Sequence, residues 1–140
     1  MRPIATCLVI LATVSLAACA GNPKPGEPGY PYNLTGSYQA EFLVDGTPYR
    51  GTMDLSTAAG GAVSGSFMVA DPAHVNGTVE GAIVADTVDF QMPYEILENG
   101  CAGVVYGRGA IAAGGDGFGG AIRLDDSCAG EMTGTATIQR

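Results

Sequence analysis

The side chains best suited to nucleophilic or metal chemistry are few in this sequence: four cysteines and one histidine, His74. No CxxC motif and no G-x-S-x-G motif is present, and no pattern links His74 to a nucleophile. The adjacent carboxylates Asp125 and Asp126 are expected to point apart, because neighbours in an extended chain face opposite sides. The sequence therefore predicts no catalytic residue, no metal site and no cofactor, and we expect a protein that is not an enzyme.

Residues 107–112 match the G-x-G-x-x-A pattern of dinucleotide sites. Such a site requires the motif to open a helix after a strand, whereas this sequence continues to another turn and strand. Nine glycines fall inside predicted strands, where glycine often marks a bend or a close approach of the backbone. We expect several of them to point inward and make room for the rings of Phe67, Phe90 or Tyr106.

The N-terminus has the pattern of a secretory signal peptide. Arg2 precedes an apolar run over residues 4–16, and the small residues Ala17 and Ala18 follow. A transmembrane helix needs about 20 apolar residues, and the Gly21-Asn22-Pro23 sequence that ends the run argues against that alternative.

Leu16-Ala17-Ala18-Cys19 resembles the lipobox of bacterial lipoproteins. The resemblance implies that residues 1–18 are a signal peptide and that Cys19 becomes the acylated N-terminus. Because Ala20 rather than aspartate follows the cysteine, it also implies the outer membrane of a double-membrane bacterium. Residues 19–35 are rich in proline and glycine and are predicted to be a semi-extended tether that does not pack. Residues 36–140 are the predicted folded domain.

Acidic side chains outnumber basic ones by 14 to 6, giving a formal net charge of −8, and removal of Arg2 with the signal peptide makes the charge one unit more negative. Nucleic acid requires a basic surface and is excluded as a partner. The expected partners are the membrane, through the lipid anchor, and a protein in the envelope.

From residue 36 onward, apolar and polar residues alternate with period two, and turn residues recur between the runs. Eight such runs and no helical stripe predict an all-β domain. We expect a small antiparallel up-and-down barrel, because closure removes exposed strand edges; a β-sandwich is the alternative. One core should contain Tyr38, Phe42, Phe67, Val79, Phe90 and Ile122, and the barrel should be filled by Phe42, Phe67, Phe90, Met53 and Met92.

Cys101 and Cys128 are the cysteines of the predicted domain, and an even pair in an oxidising compartment predicts a disulfide bond. In an up-and-down barrel both fall at the same rim, separated by two strand spacings, or ~10 Å. A disulfide spans only ~4.4–6.8 Å between Cα atoms, so the bond must be made from the loops.

Gly36-Ser37-Tyr38 on the first strand resembles the start of small barrels of the avidin and lipocalin group, and of certain periplasmic lysozyme-inhibitor lipoproteins. Tyr38 stands where the first two groups ordinarily have tryptophan. The function expected is that of a non-enzymatic envelope lipoprotein that binds or scaffolds at the outer membrane. The alternatives are an inhibitor of a basic enzyme such as lysozyme and a carrier of a small ligand, which requires a cavity.

Overall fold

The computed structural model describes residues 21–140, so the predicted signal peptide and Cys19 lie outside the described residues. Eight strands follow one another in the order β1 Gly36–Val44, β2 Thr47–Thr57, β3 Ala62–Asp71, β4 Val75–Val84, β5 Thr87–Ile96, β6 Ala102–Ile111, β7 Gly117–Asp126 and β8 Gly130–Gln139. Each strand pairs with the next in antiparallel fashion, and β8 pairs with β1. The predicted up-and-down barrel is confirmed, and the sandwich alternative is wrong. Within the described residues no helix is long and apolar enough to cross a membrane.

Period-two alternation sets the inner and outer faces of each strand. In β1, Tyr38, Ala40, Phe42 and Val44 are buried while the residues between them are exposed. The chain then reverses at Asp45 and Gly46, which both have positive φ, as a two-residue type I′ hairpin requires. The same alternation around all eight strands directs one apolar face into the barrel.

The predicted core residues are all buried, including the five side chains expected to fill the barrel. Phe42 packs against Phe67 with ring centroids 5.9 Å apart, and Phe90 packs against Phe118 at 5.6 Å. Glycines provide space for these rings: a Cβ atom on Gly107 would lie 2.4 Å from Phe90 Cζ.

Gly77 has the same relation to Phe67, since a Cβ atom there would lie 2.3 Å from Phe67 Cε1. The expectation for Tyr106 is wrong, because its side chain is on the outer surface. Its ring lies beneath the Arg123 guanidinium, 4.9 Å from the centroid. Period two explains the difference: Tyr106 lies between the inward positions Val105 and Gly107, on the opposite face of β6.

Strand β5 is longer than its sequence suggests. Proline is uncommon inside a strand and favours its end at position 93, yet β5 continues to Ile96. Its pairing with β4 lapses between the Gly77–Tyr94 and Glu80–Gln91 pairs, whereas pairing with β6 continues through Pro93. A proline lacks one ladder donor, so it interrupts the pairing on one side while the other side holds the strand in place. The extension adds Tyr94 to the inner face.

The two ends of the barrel differ in their connections. The open end carries the connections at residues 45–46, 72–74, 97–101 and 127–129. The closed end carries the connections at residues 58–61, 85–86 and 112–116, together with the N-terminal segment and Arg140.

Tyr38 and Arg140 fill the closed end. The Tyr38 hydroxyl lies 3.0 Å from the Leu34 carbonyl oxygen and 3.1 Å from that of Gly115. Arg140 donates to the Tyr38 hydroxyl oxygen and to the Thr35 carbonyl oxygen, and its guanidinium lies 5.2 Å from the Tyr38 ring centroid. Leu34 and Tyr38 are almost fully buried, so their side chains close the interior at this end in the described part of the chain.

The proline- and glycine-rich segment packs against the closed end, contrary to the expectation of a free tether. Leu34 is fully buried, and the Tyr30 hydroxyl donates to the Ala85 carbonyl oxygen at 2.9 Å. A Cβ atom on Gly61 would lie 2.5 Å from Pro25 Cβ. The proline and glycine content of this segment predicts only the stiffness of its backbone. It does not show that the segment's tyrosine and leucine side chains pack against the closed end of the barrel.

Candidate functional site

A cavity of about 200 Å³ occupies the open end of the barrel. Its wall is mostly apolar and continues upward from the core to the connecting loops. Phe42 and Phe67 border its inner part. The remaining lining residues come from all eight strands and from the rim loops: Val44, Tyr49, Val69, Val75, Tyr94, Ile96, Asn99, Cys101, Val105, Leu124, Asp126, Cys128, Ala129 and Met132. The expectation that side chains fill the whole barrel is therefore wrong at this end.

Tyr94, Gly103 and Asp126 lie side by side on three neighbouring strands at the mouth of the cavity. Tyr94 on β5 pairs with Gly103 on β6, and Gly103 pairs with Asp126 on β7. A Cβ atom on Gly103 would lie 2.6 Å from the Tyr94 hydroxyl oxygen. The missing side chain therefore lets the tyrosine cross the middle strand and reach the carboxylate beyond it.

The Tyr94 hydroxyl donates to Asp126 Oδ2 at 2.6 Å. The other carboxylate oxygen, Oδ1, accepts from the backbone amides of Cys128 and Ala129 at 2.8 and 2.9 Å. Asp126 is the one charged side chain among the buried residues of the described chain, and only 9% of its surface is exposed.

These contacts keep Asp126 ionised and Tyr94 neutral. Burial acts to raise the pKa of Asp126, but the hydrogen bonds from Tyr94, Ala129 and Cys128 outweigh it and lower that pKa. Burial, together with the Asp126 carboxylate, raises the pKa of Tyr94 well above its usual value. At neutral pH the mouth thus presents a carboxylate to a largely apolar cavity.

Cys101 and Cys128 lie at disulfide-bonding distance on the rim, with Cα atoms 5.7 Å apart. Cys101 is in the β5–β6 loop and Cys128 in the β7–β8 turn, so the contact is made from the loops, as the strand spacing requires. Hydrogen bonds support the same junction: Ser127 exchanges two with Ala102, at 2.8 and 3.0 Å. The cysteine pair links the start of β6 to the end of β7 at the rim.

Asp126 and the two cysteine sulfurs lie within 4.8 Å of one another. Because the sulfurs pair with each other, they have no thiolate to offer a metal ion, and one carboxylate is too few for a site. His74, on the β3–β4 connection at the same end, lies with Nδ1 2.6 Å from Glu98 Oε1. This exposed pair links two rim loops, and His74 does not line the cavity.

Sequence reasoning found part of this site. Cys101 and Cys128 are on the rim, and Asp125 and Asp126 point apart as expected, with Asp125 exposed and Asp126 buried. The sequence pattern alone does not indicate Tyr94 or Gly103 as site residues. The period-two series Phe90, Met92, Tyr94, Ile96 would place Tyr94 on the inner face. The proline at position 93 interrupts this pattern and favours a strand that ends before Tyr94.

No family model matches the chain, and no curated protein matches it. Among solved structures, one described as mFAP2b bound to DFHBI has a TM-score of 0.61 and 16% sequence identity, covering 76% of this chain and 93% of the other. The redesigned β-barrel mFAP1, also bound to DFHBI, has a TM-score of 0.54 and 16% identity over 76% of this chain and 94% of its own. A further redesigned β-barrel reaches 0.55 and 20%, over 76% and 90%. The chain therefore has the fold of these small barrels.

Proposed function

We propose that this protein binds a small apolar ligand in the cavity at the open end of its barrel. The observation that carries the proposal is a mostly apolar space of about 200 Å³ at the open end of the barrel. An apolar cavity of ~150 Å³ stays dry and holds benzene in an engineered protein, so this space suits one or two fused rings.

Two further observations support a binding role. Bulky side chains fill the barrel toward its closed end, and space remains only toward the open end among the described residues. The cavity therefore does not result from a generally loose core. Two of the similar barrels are described as bound to DFHBI, so ligand binding is compatible with this architecture.

Substitution of Val105 by phenylalanine tests the location of the ligand. Val105 is buried and lines the cavity, so the added ring occupies the ligand's space. We expect affinity for 2-naphthylmethanol to fall at least about tenfold, or ~1.4 kcal/mol. Naphthyl fluorescence measures binding with little background, since the chain has no tryptophan.

Val84→Phe is the matched control, because Val84 is 59% exposed and belongs to the closed end. It should bind the probe like the original protein. Equal binding by Val105→Phe would place the probe outside the cavity, and no binding by the unsubstituted protein would refute the proposed function. Thermal unfolding of each variant checks that it is folded.

We further propose that the barrel is held in the cell envelope through lipid on Cys19. The lipobox-like sequence Leu16-Ala17-Ala18-Cys19 supports this. Pro25, Tyr30 and Leu34 pack on the closed end, so the segment that follows Cys19 lies at the end opposite the mouth, which is compatible with an anchor that leaves the cavity accessible.

Cys19→Ser should abolish labelling by radioactive fatty acid and shift the protein from the membrane fraction to the soluble fraction, because the thiol is the acylation site. The measurement is made in a double-membrane bacterium, with Cys101→Ser as the control that keeps Cys19. Unchanged labelling of Cys19→Ser would contradict the anchor.

A further inference from the structure

We infer that Asp126 makes the cavity selective for apolar ligands that carry a hydrogen-bond donor, and against carboxylates such as fatty acids. The inference rests on the proposed function, because it specifies the chemistry of the ligand in the same cavity. It is carried by the hydrogen bonds of Asp126, by its burial and by the charges around the mouth.

The hydrogen-bond count leaves Asp126 with one free acceptor position. Each carboxylate oxygen accepts about two hydrogen bonds. Oδ1 already accepts two, from Cys128 and Ala129, and Oδ2 accepts one, from Tyr94. A ligand N–H or O–H group at the mouth can therefore donate to Oδ2.

Tyr94 strengthens the selectivity. Its hydroxyl has a single hydrogen, which it donates to Asp126, so its oxygen can only accept from a ligand. The Tyr49 hydroxyl and the Asn99 amide also line the cavity and can donate, but neither is a cationic group that would offset the carboxylate. A ligand carboxylate would approach a buried charge of the same sign, which is costly where water is excluded.

The surroundings of the mouth do not reverse this preference. The acidic side chains of the open end are Glu41, Asp45, Asp71, Glu95, Glu98, Asp125 and Glu131. The two arginines near this end are paired already, Arg50 with Glu41 and Arg123 with Asp125 and Glu131. His74 is paired with Glu98. No unpaired cation is thus available at the described mouth to receive an anionic headgroup.

Three probes share one ring system and differ in their polar group, so their affinities separate the effect of the polar group from that of the ring. They are 2-naphthylmethylamine, 2-naphthylmethanol and 2-naphthoate. We expect the amine and the alcohol to bind the protein at least about tenfold more tightly than the carboxylate at neutral pH. Equal or tighter binding of naphthoate overturns the inference and leaves the proposed function standing. Failure of all three to bind overturns both.

Two variants test Asp126 itself in opposite directions. Asp126→Asn keeps an oxygen for the two turn amides but removes the charge, so the amine-to-naphthoate affinity ratio should fall about tenfold. Tyr94→Phe leaves Oδ2 without its protein donor, so that ratio should rise. A ratio unchanged in both variants overturns the inference, and amide NMR spectra of each variant report whether the barrel fold is kept.

Discussion

Phe90→Ala is expected to lower the free energy of unfolding by about 3–5 kcal/mol, the usual range for removing a buried ring. Phe90 is 6% exposed, and its ring packs against Phe118 and over Gly107. Strands β4, β5 and β6 are held in the curved wall around it, so the space cannot collapse easily. Urea unfolding followed by circular dichroism measures the change.

Tyr106→Ala is the matched control, because Tyr106 is the adjacent aromatic residue on the outer face of β6. Its contact with Arg123 is exposed and worth about 0.5–1 kcal/mol, so this variant should lose no more than that. Equal losses for the two variants would contradict the assignment of inner and outer faces.

Gly107→Ala tests the same contact from the other side. The new methyl group would lie 2.4 Å from Phe90 Cζ, and the three nearest atoms all belong to side chains. The substitution should therefore destabilise the original protein and cost less when Phe90 is leucine, with a coupling energy of about 1 kcal/mol or more. Additive effects would show that the ring and the glycine are not in contact.

Loss of the link between Cys101 and Cys128 is expected to lower stability by about 3.5 kcal/mol in the chain-entropy model. The two residues are 27 positions apart in sequence, and their bond closes β6 and β7 into a loop. The double variant Cys101→Ala/Cys128→Ala and the reduced original protein should lose similar amounts, because both free the same loop.

Non-reducing peptide mapping tests the pairing directly and should give one linked peptide pair. Reaction of both thiols with an alkylating agent before reduction would contradict it. The variant also bears on the site, because both residues line the cavity mouth. A weaker affinity for 2-naphthylmethanol in the double variant is expected when the rim is no longer held.

The barrel itself was predictable because the residue patterns that specify it lie within single strands and turns. Period two assigns each side chain to a face, and Asp45-Gly46 fixes a hairpin. Eight such runs with one apolar face need a closed sheet to bury it. The same strand count located Cys101 and Cys128 at one rim and assigned their contact to the loops.

The cavity and its polar pair depended on the tertiary structure. Tyr94 and Asp126 are 32 residues apart, and they meet because strand register aligns both with Gly103. Neither the register nor the effect of Pro93 on one side of β5 is encoded in alternation alone.

The sequence by itself therefore determined the strand faces, the core and the paired cysteines, since each depends on residue type and spacing along the chain. Only the tertiary structure decided that one end is plugged by Leu34, Tyr38 and Arg140 while the other keeps a cavity. Free volume is what remains when side chains from all eight strands are placed around one axis, and a one-residue change in register would move those side chains to the other face. The free volume is therefore a property of the closed barrel and cannot be predicted from any single strand.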